Sequence, residues 1–97
     1  MAEPDRDATD DAETLRRFFA PDGRLHTMPT RHLKRRFVLD HIAQRFEPGR
    51  QYAEREVDAV LKEIHEDHAA LRRYLVDDGF LARENGVYWR SGGTVEV

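Results

Sequence analysis

Cysteine is absent, which removes disulfide cross-links, thiolate metal sites and thiol nucleophiles together. Serine is almost as scarce. Ser91 is the single one, and it stands in no Gly-x-Ser-x-Gly elbow. No glycine-rich phosphate loop occurs. No apolar run approaches the ~20 residues that cross a bilayer, and the first residues are acidic where a signal peptide would be basic and then apolar. His65 with Asp67 has the groups for acid–base work, but 97 residues leave little room for a large pocket. These absences lead us to expect a soluble cytoplasmic protein without cofactor, membrane partner or enzymatic activity.

What is present suits one domain with a modest core, since 39% of the residues are hydrophobic and 36% charged. The net charge of −3 conceals an uneven distribution. Residues 1–13 carry six acids against one base, Arg6, a sum of −5, so residues 14–97 carry 13 acids and 15 bases, a sum of +2. The acidic whole argues against a nucleic-acid partner, whereas the mildly basic remainder permits one.

Residues 1–9 lack periodic apolar side chains and read as a disordered acidic tail. Asp10 and Glu13 have capping-box spacing ahead of Leu15, Phe18 and Phe19, which predicts a short helix stopped by Ala20-Pro21-Asp22-Gly23. Pro29 keeps Met28 extended. Thr30 is the expected N-cap of a second helix reaching about Arg45, with Leu33, Phe37, Val38, Leu39, Ile42 and Phe46 as its apolar stripe. Gln51-Tyr52 suits a short strand. Val57, Val60, Leu61 and Ile64 follow the i, i+3, i+4, i+7 spacing of a third helix.

Beyond a turn at His65-Glu66, Asp67 caps a fourth helix with Ala70, Leu71, Tyr74 and Leu75 inward and Gly79 as its left-handed stop. Residues 80–84 and 87–90 flank Asn85-Gly86, a strong hairpin signal. That hairpin pairs Arg83 with Tyr88 and Leu81 with Arg90. Both arginines and Tyr88 then share one face, leaving Ala82, Val87 and Trp89 on the other, with Trp89 and Phe80 expected in the core. Residues 92–97 either extend the second strand or fray.

A helix-turn-helix followed directly by a hairpin predicts a mainly helical α+β domain over residues 10–91 of winged-helix type, with the fourth helix in the recognition position and the hairpin as the wing. A four-helix bundle is the competitor, but it has no place for the hairpin.

Several segments carry a family resemblance: Gly23-Arg24-Leu25, Pro29, Lys34-Arg35-Arg36, Phe46 with Tyr52, and Glu56-Val57-Asp58. To these are added Asp67 with Leu71-Arg72-Arg73, then Gly79-Phe80-Leu81-Ala82-Arg83 and Tyr88-Trp89-Arg90. From Gly23 to Arg90 the chain resembles the prokaryotic domain-of-unknown-function family 2087. The resemblance implies a winged-helix-like domain that occurs alone or joined to helix-turn-helix regulators, and hence a role near transcription. It carries over no catalytic or binding residues. Asp58 stands where similar sequences often have Asn.

Arg31, Lys34, Arg35 and Arg36, beside His32, crowd the first turns of the second helix, where the helix dipole disfavours cations. An anion seated among them would make the arrangement sensible. A solvated face balanced by acids such as Glu56 and Asp58 is the alternative. On the fourth helix His68, Ala69, Arg72, Arg73 and Val76 lie outside the core stripe. Its two arginines suit phosphate or a guanine edge, or a salt bridge such as Arg73 with Asp77. Glu63, Glu66 and Asp67 would repel phosphates at the start of this helix. Arg83 and Arg90 on the wing suit backbone contact or packing on an aromatic ring.

His65 and His68 are spaced too awkwardly across the cap to bind a metal together, and His26, His32 and His41 show no ligand spacing. The expected function is a DNA-binding regulator using Arg31, Lys34, Arg35, Arg36, His68, Arg72, Arg73, Arg83 and Arg90, with a homodimer lengthening the site it reads. The alternative is a protein-interaction module using an apolar surface around Val76, Tyr88 or the first helix.

Overall fold

Breakers and apolar periodicity divide the chain much as the sequence predicts, and the differences lie at helix ends and faces. The computed structural model describes residues 13–94. The expected acidic tail, the Asp10 side of the first capping box and residues 95–97 lie outside these. Among the described residues the architecture is α+β, with four helices and a three-stranded antiparallel sheet.

Helix α1 occupies 13–18 among the described residues. It gives way to a turn through Pro21 and Gly23, whose φ of 90° favours glycine. Phe19 and Leu25 bridge across that turn, and the Leu25 N–H donates to the Ile64 carbonyl at 2.7 Å. Arg24 Nη1 donates to the carbonyls of Lys62 and Glu63 at 3.2 and 3.3 Å. A side chain thus satisfies carbonyls that the end of the third helix leaves open.

Helix α2, His32–Ala43, starts one residue later than expected. Its N-cap is Arg31, without a side-chain cap, and Arg35 N–H donates to Arg31 O at 2.8 Å. Pro29 is buried, which fixes the chain direction and leaves Thr30 short of the helix. The other end stops before Arg45 because Gln44, Arg45 and Phe46 N–H groups donate three residues back in a tightened turn. That turn carries Phe46 into the core. Val38, Leu39, Ile42 and Ala43 are the buried face. Leu33, expected inward, is 81% exposed, because nine residues put it about 180° around the helix from Ile42.

Strand β1 (Gln51–Ala53) runs straight into α3 (Glu54–Lys62). The Ala53 N–H donates to Glu56 Oε1 at 2.9 Å, the half of a capping box that needs no N-cap side chain. Helix α4 (His68–Asp77) begins as predicted, with Asp67 Oδ1 accepting from Ala70 N–H at 3.2 Å. It stops where Gly79 takes φ 82°. Strands β2 (Leu81–Glu84) and β3 (Val87–Arg90) turn through Asn85 and Gly86 at φ 53° and 79°, the left-handed pair of a type I′ turn.

The sheet order is β1-β3-β2. Tyr52 lies opposite Tyr88 in one pair, and Leu81 opposite Arg90 and Arg83 opposite Tyr88 in the other. Tyr88 and Leu81 are buried with Tyr52 against the helices, while Trp89 is half-buried on the opposite face between Gln51 and Ala82. The expectation of a core Trp89 is therefore corrected. The inward register face already carries two tyrosines and a leucine, which leaves the indole outward. Phe80 is core, as expected.

Thr94 donates from N and Oγ1 to Asp40 Oδ1 and Oδ2, both at 2.7 Å, and accepts from Gln44 Nε2 at 2.9 Å. No helix among the described residues is long and apolar enough to cross a membrane.

Candidate nucleic-acid interface

The cations that open α2 stand against their own helix dipole, yet two of them complement another. Asp78 is the C-cap of α4, where helix carbonyls concentrate negative charge. Arg36 Nη1 donates to the Asp78 carbonyl at 2.9 Å, and its guanidinium lies 4.8 Å from the centre of the Phe80 ring. Arg35 Nε is 3.6 Å from Asp78 Oδ2, with its guanidinium 5.3 Å from the Tyr74 ring. The positive start of α2 thus meets the negative end of α4.

The acids expected to balance this cluster lie elsewhere. Glu56 pairs with Arg50 at 3.7 Å, and Asp58 pairs with Arg72. Arg31 is exposed and Lys34 half-buried, and neither has an acidic partner among the described residues.

A second group lies between α4 and the hairpin. Glu54 and Asp58, one helical turn apart on α3, face Arg72, which bonds Asp58 and sets Nε 3.9 Å from Glu54 Oε1. Tyr88 Oη donates to that same Glu54 oxygen at 2.8 Å, and Arg83 lies opposite Tyr88 in the hairpin register. A polar chain therefore runs from the hairpin through α3 to α4. Burial works to lower the Arg72 pKa, but the hydrogen bond and charge of Asp58, followed by Glu54, hold it above its ordinary value. Burial, and then Glu54, push the Tyr88 phenol up.

Arg73 is exposed and makes no pair with Asp77. Arg72, Arg73 and Arg83 line one cleft of about 210 Å³ together with Ala69, Val76, Asp77 and Tyr88. His68 Nδ1 stands 3.4 Å from the Glu66 carbonyl at the start of the helix. Of the acids there, Asp67 is the cap and Glu63 is matched by Arg45 at 2.7 Å. Arg90 is turned inward, donating to the carbonyls of Phe46, Gly92 and Thr94.

The structure thus brings Arg72, Arg73 and Arg83 together, sets His68 on the same helix, and leaves Arg31 and Lys34 on α2. Arg35, Arg36 and Arg90 hold the fold together. Tyr88, expected at an apolar interaction surface, is fully buried.

This geometry spans a segment matched, over residues 24–90, by the profile of a bacterial family described as "Uncharacterized protein conserved in bacteria (DUF2087)". The chain belongs to the DUF2087 family. No curated protein and no solved structure matches it. Within the DUF2087 segment, sequence reasoning missed Glu54 and Asp58 as the partners of Arg72. Their i, i+4 spacing was the available signal, since it puts both carboxylates on one face of α3.

Proposed function

We propose that the chain is a transcription-associated DNA-binding regulator that grips the duplex backbone through α4 and the β2–β3 hairpin. The element order α2-β1-α3-α4-β2-β3 and the sheet order β1-β3-β2 are compatible with a winged helix. One observation carries the reading: arginines of the fourth helix and the hairpin line a single cleft. Arg73 and Arg83 contact phosphate, and His68 faces the groove. Arg72 positions the helix and is not a free reader of bases, because Asp58 and Glu54 engage it. Arg31 and Lys34 extend the basic surface, and a homodimer doubles the reach along the duplex.

Affinity from phosphate neutralisation falls steeply with salt. Fluorescence anisotropy of the full chain with labelled duplex DNA, at low and near-physiological salt, tests the proposal. Binding should appear at low salt, decline as salt rises, and drop at least about tenfold in Arg73→Glu with Arg83→Glu. Absence of binding at both salts refutes it. A second reading, a protein-interaction module without nucleic-acid contact, draws on a different surface, the exposed Leu33.

A further inference from the structure

The three arginines of the cleft between α4 and the hairpin are not equivalent, and two acids of α3 make the difference. Glu54, in the first turn of α3, suits the positive end of the helix dipole and accepts from Tyr88 at 2.8 Å. Asp58 lies one turn further on, past the reach of that dipole, and its carboxylate bonds Arg72. The Arg72 and Asp58 side chains are 21% and 22% exposed, whereas Arg73 and Arg83 stand open to solvent.

An arginine keeps its proton throughout the range in which proteins fold, so Arg72 is a full cation in the wall of the cleft. Its charge is directed inward. Two carboxylates answer one guanidinium, and this corner presents no net positive charge to an anion. A phosphate that took Arg72 would strip it from a largely buried carboxylate and leave that acid uncompensated. Arg73 and Arg83 line the same cleft and form no ion pair among the described residues.

We infer that Asp58, assisted by Glu54, is a positioning residue of this cleft: it withholds Arg72 from phosphate and limits backbone contact there to Arg73 and Arg83. The inference rests on the DNA-binding reading and says which of the three arginines the duplex meets.

The test is the salt dependence of duplex binding by the full chain and three variants. These are Arg72→Gln, the paired change Glu54→Gln with Asp58→Asn, and all three substitutions together. The paired change is isosteric and keeps an oxygen acceptor at each position while removing the charge. Each phosphate neutralised adds about 0.9 to the slope of log affinity against log salt. Arg72→Gln alone should leave the parental slope unchanged. The paired change should steepen it by about 0.9 and tighten binding at low salt at least about threefold, and adding Arg72→Gln should abolish that gain. A purely structural role for the acids predicts no such steepening. In the unchanged chain, DNA should shift the side-chain Nε–H signals of Arg73 and Arg83 and leave that of Arg72 in place, a readout that depends on no variant folding.

A shallower slope in Arg72→Gln, or a parental slope in the paired change, overturns the inference. So does a gain that survives the addition of Arg72→Gln, or a DNA-induced shift at Arg72 Nε–H in the unchanged chain. In each of these the unchanged chain still binds, so the DNA-binding reading stands. No binding by it at any salt refutes both.

Discussion

Tyr88 shows how much one side chain can decide. Its ring fills the core between β1 and the helices, while its hydroxyl donates to Glu54 at 2.8 Å. Tyr88→Phe keeps the ring and removes a donor from a carboxylate that also faces Arg72, which should cost about 1 kcal/mol in a denaturant titration. With its pKa raised in the folded state, the phenol should ionise above its ordinary range in an absorbance titration. Its contribution to stability is present below about pH 10 and is lost as the pH climbs through that value toward the folded pKa.

Gly92 is constrained differently, by space: a Cβ there would stand 2.5 Å from the Gly79 carbonyl oxygen. Gly92→Ala must displace backbone and should lower stability by about 1–3 kcal/mol, measured the same way. Residue types alone conceal such facts. Leu33 and Trp89 look like core by composition, and only the facing of their elements puts one in solvent and the other on the outer side of the sheet. Arginine is equally ambiguous. Arg72 and Arg73 are neighbours in sequence, yet among the described residues one is engaged by two acids and the other by none.

Elements were more legible than faces, because their punctuation is local. Asp67 as a cap, Gly79 as a stop and Asn85-Gly86 as a turn each act within a few residues, and each is found in its expected role. Asp67→Ala should therefore cost about 1 kcal/mol of stability by loss of the Ala70 N–H partner. The pairing of Gln51 with Trp89 joins segments far apart in sequence. Alternation in Gln51-Tyr52-Ala53 can announce a strand but cannot name the neighbour it joins. The start of α2 was misplaced for a related reason, since its boundary depends on the buried Pro29. The basic cluster is a long-range matter too. Its anion is the end of α4, which arrives from 42 residues later in the chain. Arg36→Ala should loosen that junction, seen as faster amide exchange in the last turn of α4, with the hairpin turn unchanged.

At the scale of the molecule, the contact of Phe19, just beyond α1, with His41 of α2 should make stability mildly sensitive to acid, an effect softened by the exposure of His41. His41 packs its ring 5.0 Å from that of Phe19, and burial there draws its pKa below 6.5, with Asp40 opposing. The unfolded chain therefore binds the proton more readily. Stability should fall as the pH drops through about 6.5 toward the folded value. Thermal melts at several pH values should show a flatter decline across that window in His41→Gln.

The way Thr94 is fastened to Asp40 has a practical bearing. Asp40 gives both of its carboxylate oxygens to Thr94, so a single side chain of α2 holds this stretch, and a change that reaches Asp40 is felt there as well.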